Sequence, residues 1–168
     1  MSEFRQASKF WEDLKSGKFA QMVRETARGK EISNPVEAYH IVKPLFAEHD
    51  DVESMYGIFL DTQNHILAIE KITSGTLFCS AVYPRELIKR VISLGAGAVV
   101  LAHNHPSGDT EPSAEDRVIT RKVVFALSTI DVLLHDHLIV GKGYHCMSND
   151  GSIESAADQC RKFLANPT

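Results

Sequence analysis

Three cysteines in 168 residues, with no CxxC pair among them, leave no disulfide framework to read. Cys79, Cys146 and Cys160 are odd in number and widely spaced. That suits a reducing compartment, with the thiols as small packing residues and not as metal ligands. Long apolar runs are missing as well: none reaches the roughly 18 residues of a membrane span. The N-terminus, Met1-Ser2-Glu3-Phe4-Arg5, lacks the charged-then-apolar layout of a signal peptide. A cytoplasmic protein with no membrane partner is therefore expected. Cations are not in excess either. The chain has 18 Lys and Arg against 22 Asp and Glu, a net charge of −4. Nonspecific nucleic-acid binding rests on clustered cations, so DNA binding is expected to be weak or absent. There is no internal repeat and no low-complexity tract.

What is present reads as an ordinary globular chain, 43% apolar and 24% charged. Residues 1–33 form a polar segment with a few apolar side chains (Phe10, Trp11, Leu14, Phe19, Met22) and read as an N-terminal helical extension. Residues 34–168 read as the main domain. Asn34-Pro35-Val36-Glu37 is a helix start, with Asn34 as N-cap and Glu37 closing a capping box. Ala38, Ile41, Val42 and Leu45 follow on one face, and Pro44 should bend or end the helix. Strands are expected from about Glu53 to Leu60 and from Ile66 to Ile72, joined by Asp61-Thr62-Gln63-Asn64. A short extended piece, Leu77 to Val82, leads to a helix from Pro84 with Leu87, Ile88, Val91 and Ile92 on one face. The apolar run Ala98-Val99-Val100-Leu101-Ala102 reads as a buried strand. A helix from about Ser113 to Thr129 should bury Ile119, Val123, Ala126, Leu127 and Ile130. Strands at Val132–Val140 and Tyr144–Met147 follow. A last helix carries Ile153, Ala156, Ala157, Cys160, Phe163 and Leu164 on one side. Strands interleaved with helices predict an α/β fold, a mixed β-sheet flanked by helices.

The chemistry concentrates in the fourteen residues from His103 to Asp116, which begin His-Asn-His-Pro-Ser-Gly and end Ser-Ala-Glu-Asp. Residues two apart on a strand point to the same side, so His103 and His105 can present two imidazoles to one point. Asp116 falls in the first turn of the next helix, where the dipole favours its charge. Ser113 reads as the cap of that helix. Two imidazoles and one carboxylate are a ligand set that a catalytic zinc uses, with water in the open fourth position. Hydrolysis also needs a general base. By residue type alone Glu111, Glu115 and Glu53 are all candidates.

The joint pattern H-x-H, seven residues, S-x-x-D resembles the JAMM (MPN+ or JAB) metalloprotease motif. His103 to Gly108, the Pro84-Arg85-Glu86 helix start and Asp136-His137 before Leu-Ile-Val-Gly resemble its RadC branch. The likeness covers about residues 35–150. It implies a sheet layout similar to cytidine deaminases, and Zn2+ held by His103, His105 and Asp116. It implies Glu53 as general base, Ser113 steadying the water or the developing oxyanion, and a peptide or protein substrate. Full-length RadC proteins carry an N-terminal helix-hairpin-helix module of the sort that binds DNA. Residues 1–30 are too short for it, so a short, stand-alone form is expected. The resemblance gives Asp136 and His137 no firm role: they line the site or satisfy hydrogen bonds in the core.

The expected activity is that of a zinc metallopeptidase or isopeptidase. The competing class is a DNA-processing protein, from repair or a mobile element, as the RadC label suggests. The letters His-Asn-His invite a nuclease reading, but HNH nucleases spread those residues over a ββα unit. A zinc deaminase needs H-x-E and P-C-x-x-C, and neither is present. A metal-free scaffold is disfavoured because all five motif positions are intact.

Overall fold

The computed structural model describes residues 3–47, 49–74 and 84–165. Helices α1 (Glu3–Lys15), α2 (Lys18–Ala27) and α3 (Pro35–Phe46) come first, then strands β1 (Ser54–Leu60) and β2 (Ile66–Ser74). Helix α4 (Pro84–Leu94), strand β3 (Ala98–Asn104), helix α5 (Ala114–Ser128), strands β4 (Leu133–Val140) and β5 (Tyr144–Cys146) and helix α6 (Ser152–Ala165) complete the order. The extended piece expected at Leu77–Val82 lies outside the described residues.

The strands form one mixed sheet in the order β2-β1-β3-β4-β5. Among the described strands only β3 and β4 are parallel, with α5 in the crossover between them. The remaining pairs are antiparallel. Every residue of β1 and β3 is buried, as expected of central strands covered on both faces. On one face α2 and α3 contribute Ala20, Ala27, Val42 and Leu45 to a core with Ile58, Val100 and Leu138. On the other, α4, α5 and α6 contribute Val91, Val123, Leu127 and Ile153 against Phe59, Leu101 and Ile139. Leu127 is fully buried. Its replacement by alanine costs about 2–5 kcal/mol, the range for a core Leu.

Local departures from expectation have local causes. Asn34 caps α3 by accepting from the Glu37 amide at 3.0 Å, but the Glu37 carboxylate accepts from Ser33 N–H, one residue before the cap. The expected box is thus shifted by one residue. Pro44 lies inside α3, which runs on to Phe46 and is not ended by it. The buried face of α3 includes Tyr39 and Phe46, while Ile41 is half-buried. Ile92, Phe163 and Leu164 are exposed, because the cover over each helix is narrower than its apolar stripe. Ala126 and Ile130 are only partly covered, and Val124 takes a buried place on α5 instead.

Candidate metal centre

Strand register builds this site. His103 pairs with Met55 across the antiparallel β1–β3 ladder. The end of β3 therefore lies beside the start of β1, and Glu53 meets His105 just beyond the last pair. Asn104 fixes that meeting. Its Oδ1 accepts from Ser54 N–H at 2.8 Å and its Nδ2 donates to the Val52 carbonyl at 3.1 Å. The amide side chain thereby holds the segment that carries Glu53. The start of α5 supplies the fourth group, Asp116.

Glu53, His103, His105 and Asp116 converge, with one ligand atom from each lying within 4.8 Å of all the others. The two Nε2 atoms are 2.9 Å apart. Asp116 Oδ1 is 3.2 Å from His103 Nε2, and its Oδ2 is 3.4 Å from His105 Nε2. Glu53 Oε1 is 3.9 Å from both imidazoles, and its side chain is partly covered. Glu111 and Glu115 are exposed and stand outside this cluster.

The hydrogen bonds behind the imidazoles fit one proton arrangement that leaves both Nε2 atoms free to bind a metal. The Thr120 hydroxyl donates to the Asp116 carbonyl at 2.6 Å, a bond to the residue four earlier in α5. In this arrangement Thr120 Oγ1 accepts from His137 Nδ1–H, also at 2.6 Å. His137 Nε2 is left an acceptor, so the 2.8 Å contact is His103 Nδ1–H donating to it. This leaves His103 Nε2 a lone pair, directed at the cluster. The Asp109 carbonyl does the same for His105 by accepting from Nδ1–H at 3.0 Å. Two imidazole lone pairs and carboxylate oxygens thus face one another at 2.9–3.4 Å. Acceptors packed so closely repel unless a cation lies among them. A tetrahedral shell with bonds of about 2.0–2.1 Å has its donor atoms roughly 3.3 Å apart, so the residues present fit a small divalent ion.

Burial alone would push the Asp116 carboxyl up, but a proton on His103 Nε2, whose place a metal cation would take, and the Ser113 hydroxyl and amide outweigh it and hold the group below the usual carboxylate range. Both Ser113 N–H and Oγ–H donate to Asp116 Oδ2, at 2.8 and 2.6 Å, while Ser113 Oγ accepts from Asp116 N–H. This is the capping box of α5. Burial, then the neighbouring His103, hold His137 well below the usual histidine range, so it is a neutral link.

The site loop rests on the β4–β5 turn. His105 N–H donates to the Val140 carbonyl at 2.8 Å and Lys142 N–H to the Gly108 carbonyl at 3.0 Å. Gly108 has φ +83°, and a Cβ on Gly141 would lie 2.4 Å from Gly108 O. The two chains approach so closely that Gly141 tolerates no side chain.

The sequence singles out His137 without giving it a role, and it offers little to mark Thr120 or Asn104. Thr120 carries a faint signal, since it lies four residues after Asp116 on the same helix face. Asp136, by contrast, satisfies hydrogen bonds in the core. Its carboxylate accepts from the His137 and Ser148 amides and the Ser148 hydroxyl, at 2.7–3.0 Å. Cys146 and Cys160 are buried and free, and Cys79 lies outside the described residues. Among the described residues no helix is long and apolar enough to cross a membrane.

Residues 32–152 match the model of the RadC-like JAB domain family. A UPF0758 protein of Halorhodospira halophila is 41% identical over 116 residues, 69% of this chain and 51% of that protein. Similar proteins carry the same UPF0758 name in Symbiobacterium thermophilum, 43% identical over 69% of this chain and 49% of the relative, and in Haemophilus influenzae, 46% identical over 56% and 43%. The chain spans about half the length of these relatives.

Proposed function

The chain belongs to the RadC-like JAB-domain family, and on that premise we propose that it is a zinc-dependent hydrolase of amide bonds, a peptidase or isopeptidase acting on a peptide or protein. The observation that carries the reading is the convergence of two imidazole lone pairs and two carboxylates at the end of β3. His103 and His105, through Nε2, and Asp116, through Oδ1, would hold the ion. Imidazole with carboxylate suits zinc, and hydrolysis asks for no redox change. Zinc supplies Lewis acidity, which readies a water for attack near neutral pH and polarises a carbonyl.

The chain's own residues do the rest. Glu53 takes the proton of the attacking water and returns it to the leaving nitrogen, which must depart neutral. Its place at the rim, partly covered and equidistant from both imidazoles, suits a group that meets water and substrate in turn. His137 and the Asp109 carbonyl fix the orientation of the two imidazoles. Ser113 holds Asp116 in the resting state. Steadying the developing oxyanion requires its hydroxyl to turn from Oδ2 toward the substrate. The acidic balance of the chain favours a protein substrate over a nucleic acid.

The experiment has two arms. Elemental analysis of the purified protein should find one zinc per chain, and full occupancy in the His103→Ala, His105→Ala double variant would refute the ligand set. Purified wild-type and Glu53→Gln proteins are then added to a cell extract, and newly formed peptide N-termini, together with free lysine amines released from isopeptide bonds, are compared by mass spectrometry. New termini or amines should appear with wild type only. Equal signals from both proteins, or none from wild type with zinc bound, would overturn the hydrolase reading.

A further inference from the structure

A second cavity lies on the other face of the sheet from the metal centre, with a volume of about 350 Å³. That is within the size range of small-molecule sites, roughly 300–1,000 Å³. Its apolar lining comes from Ile32, Leu60 and Val100, and its polar lining includes Asn64, His135 and Asp136. Among the described residues no lysine or arginine lines it.

Asp136 decides what the cavity can hold. The residue is only 4% exposed. Its carboxylate is held by the amides of His137 and Ser148 and the Ser148 hydroxyl, and among the described residues no cation pairs with it. Buried carboxylates are normally paired with a cation, because neutral hydrogen bonds stabilise the charge only in part. His135 does not supply the missing charge. Its Nε2 is 2.8 Å from Asn64 Oδ1, so it donates there, and partial desolvation outweighs the nearby Asp136 and lowers its pKa from the ordinary histidine value.

Two backbone irregularities border this cavity. Register slips between Val99↔Leu134 and Val100↔Asp136, so His135 is the extra residue of a bulge. Asn64, opposite it, has φ +65°, rare outside glycine. Bulges turn side chains out of the regular alternation. This one brings Asp136 onto the α3 face, into a cavity lined by both apolar and polar side chains.

We propose that this cavity is a binding site for a small organic cation, a short aliphatic stem ending in an ammonium or guanidinium group, with Asp136 as its counter-charge. The stem lies along Ile32, Leu60 and Val100. The N–H donors face Asp136 and the Asn64 amide oxygen.

The test uses the full chain stripped of metal by a chelator, so that amines cannot report coordination at the other site. Amide chemical shifts are followed by NMR as butylammonium, butylguanidinium, butyrate or 1-butanol is added to about 10 mM, ten times a millimolar dissociation constant. Saturable shifts are expected at Asn64, His135 and Ser148 with the two cations only. Asp136→Asn should weaken them at least about 10-fold. Because Asp136 also holds backbone amides, Asn149→Phe, at the exposed rim, serves as a second variant that fills the mouth and leaves the core intact. It too should abolish the shifts. Equal response to butanol or butyrate, response retained in both variants, or no saturable response to either cation would overturn the proposal.

Discussion

Replacing Thr120 with valine tests the proton chain behind His103, because valine keeps the shape and removes only the hydroxyl. That hydroxyl donates to the Asp116 carbonyl and accepts from His137 Nδ1–H. Without it, two outcomes are open to the buried ring. His137 keeps its Nδ1 proton with no acceptor, at a cost of about 1–3 kcal/mol for a buried unsatisfied donor. Or it moves the proton to Nε2, where it meets His103 Nδ1–H across 2.8 Å. His103 must then move its own proton to Nε2, and the lone pair aimed at the cluster is lost. Either way the ligand is weakened. Loss of a hydrogen bond behind a metal-bound histidine lowers metal affinity about 10- to 100-fold, equal to roughly 1.4–2.8 kcal/mol, the same size as the cost of the orphaned donor. The assay is competition for zinc against a chromophoric chelator, with urea unfolding of the metal-stripped protein alongside. Thr120→Val should lose 10- to 100-fold in affinity, while Thr120→Ser, which keeps the hydroxyl, should stay within about threefold of wild type. Unchanged affinity in Thr120→Val would refute the tautomer assignment.

Glu53→Gln keeps the shape of its side chain but cannot take a proton. Its zinc content and melting temperature should match wild type while any hydrolysis falls by at least about 10²-fold. Thiol titration of the denatured, unreduced protein should find all three cysteines free, and a count of one would reveal a disulfide. Burial first, then the Asp136 carboxylate, push the Cys146 thiol up to about 12. Between about pH 8.5 and 12 the native state keeps a proton that the unfolded chain has released, so this group's stabilisation is fully present below 8.5 and lost as pH rises through that window. Urea unfolding should show that alkaline loss in wild type and less of it in Cys146→Ala; an equal loss in both would count against it. Gly141→Ala drives a Cβ to 2.4 Å from Gly108 O, which must displace the loop holding the Asp109 carbonyl. Zinc affinity should fall with little change in far-ultraviolet circular dichroism, and unaltered affinity would show that the loop does not depend on that contact.

Much of this architecture was legible in the chain. The run from Ala98 to Ala102 reads as a buried strand, and β3 is one, covered on both faces. The Asn34 cap, the Ser113 cap and the turn at Asp61–Asn64 follow from short-range hydrogen bonding that sequence displays directly. The clustering of His103, His105 and Asp116 follows from strand and helix geometry within fourteen residues. The place of Glu53 does not. It rests on the pairing of Met55 with His103, a contact between segments almost fifty residues apart that no local pattern encodes. Ile92, Phe163 and Leu164 mark another limit, because periodicity shows which way an apolar stripe faces but not how wide a neighbour covers it.

His137 shows why the rest was hidden. In a regular strand, residues two apart share a face. Leu134 packs with the core on the α5 side, so simple alternation would send Asp136 to that side and His137 to the other. The bulge at His135 inserts one residue and reverses the assignment. Leu138 and Val140 then fall on the α3 face, Ile139 on the α5 face, and His137 reaches His103 and Thr120. A single extra residue in β4 therefore does two things at once. It sends a neutral imidazole to orient the ligand on one face of the sheet, and it leaves a buried carboxylate beside a cavity on the other. Deleting His135 removes only the extra residue: Leu134 and Asp136 become neighbours in regular alternation, which keeps Asp136 on the α3 face and His137 on the α5 face opposite Leu101, so zinc affinity should stay near wild type. A deletion variant that folds but loses zinc would show that the ring is aimed by the bulge itself and not by the register beyond it.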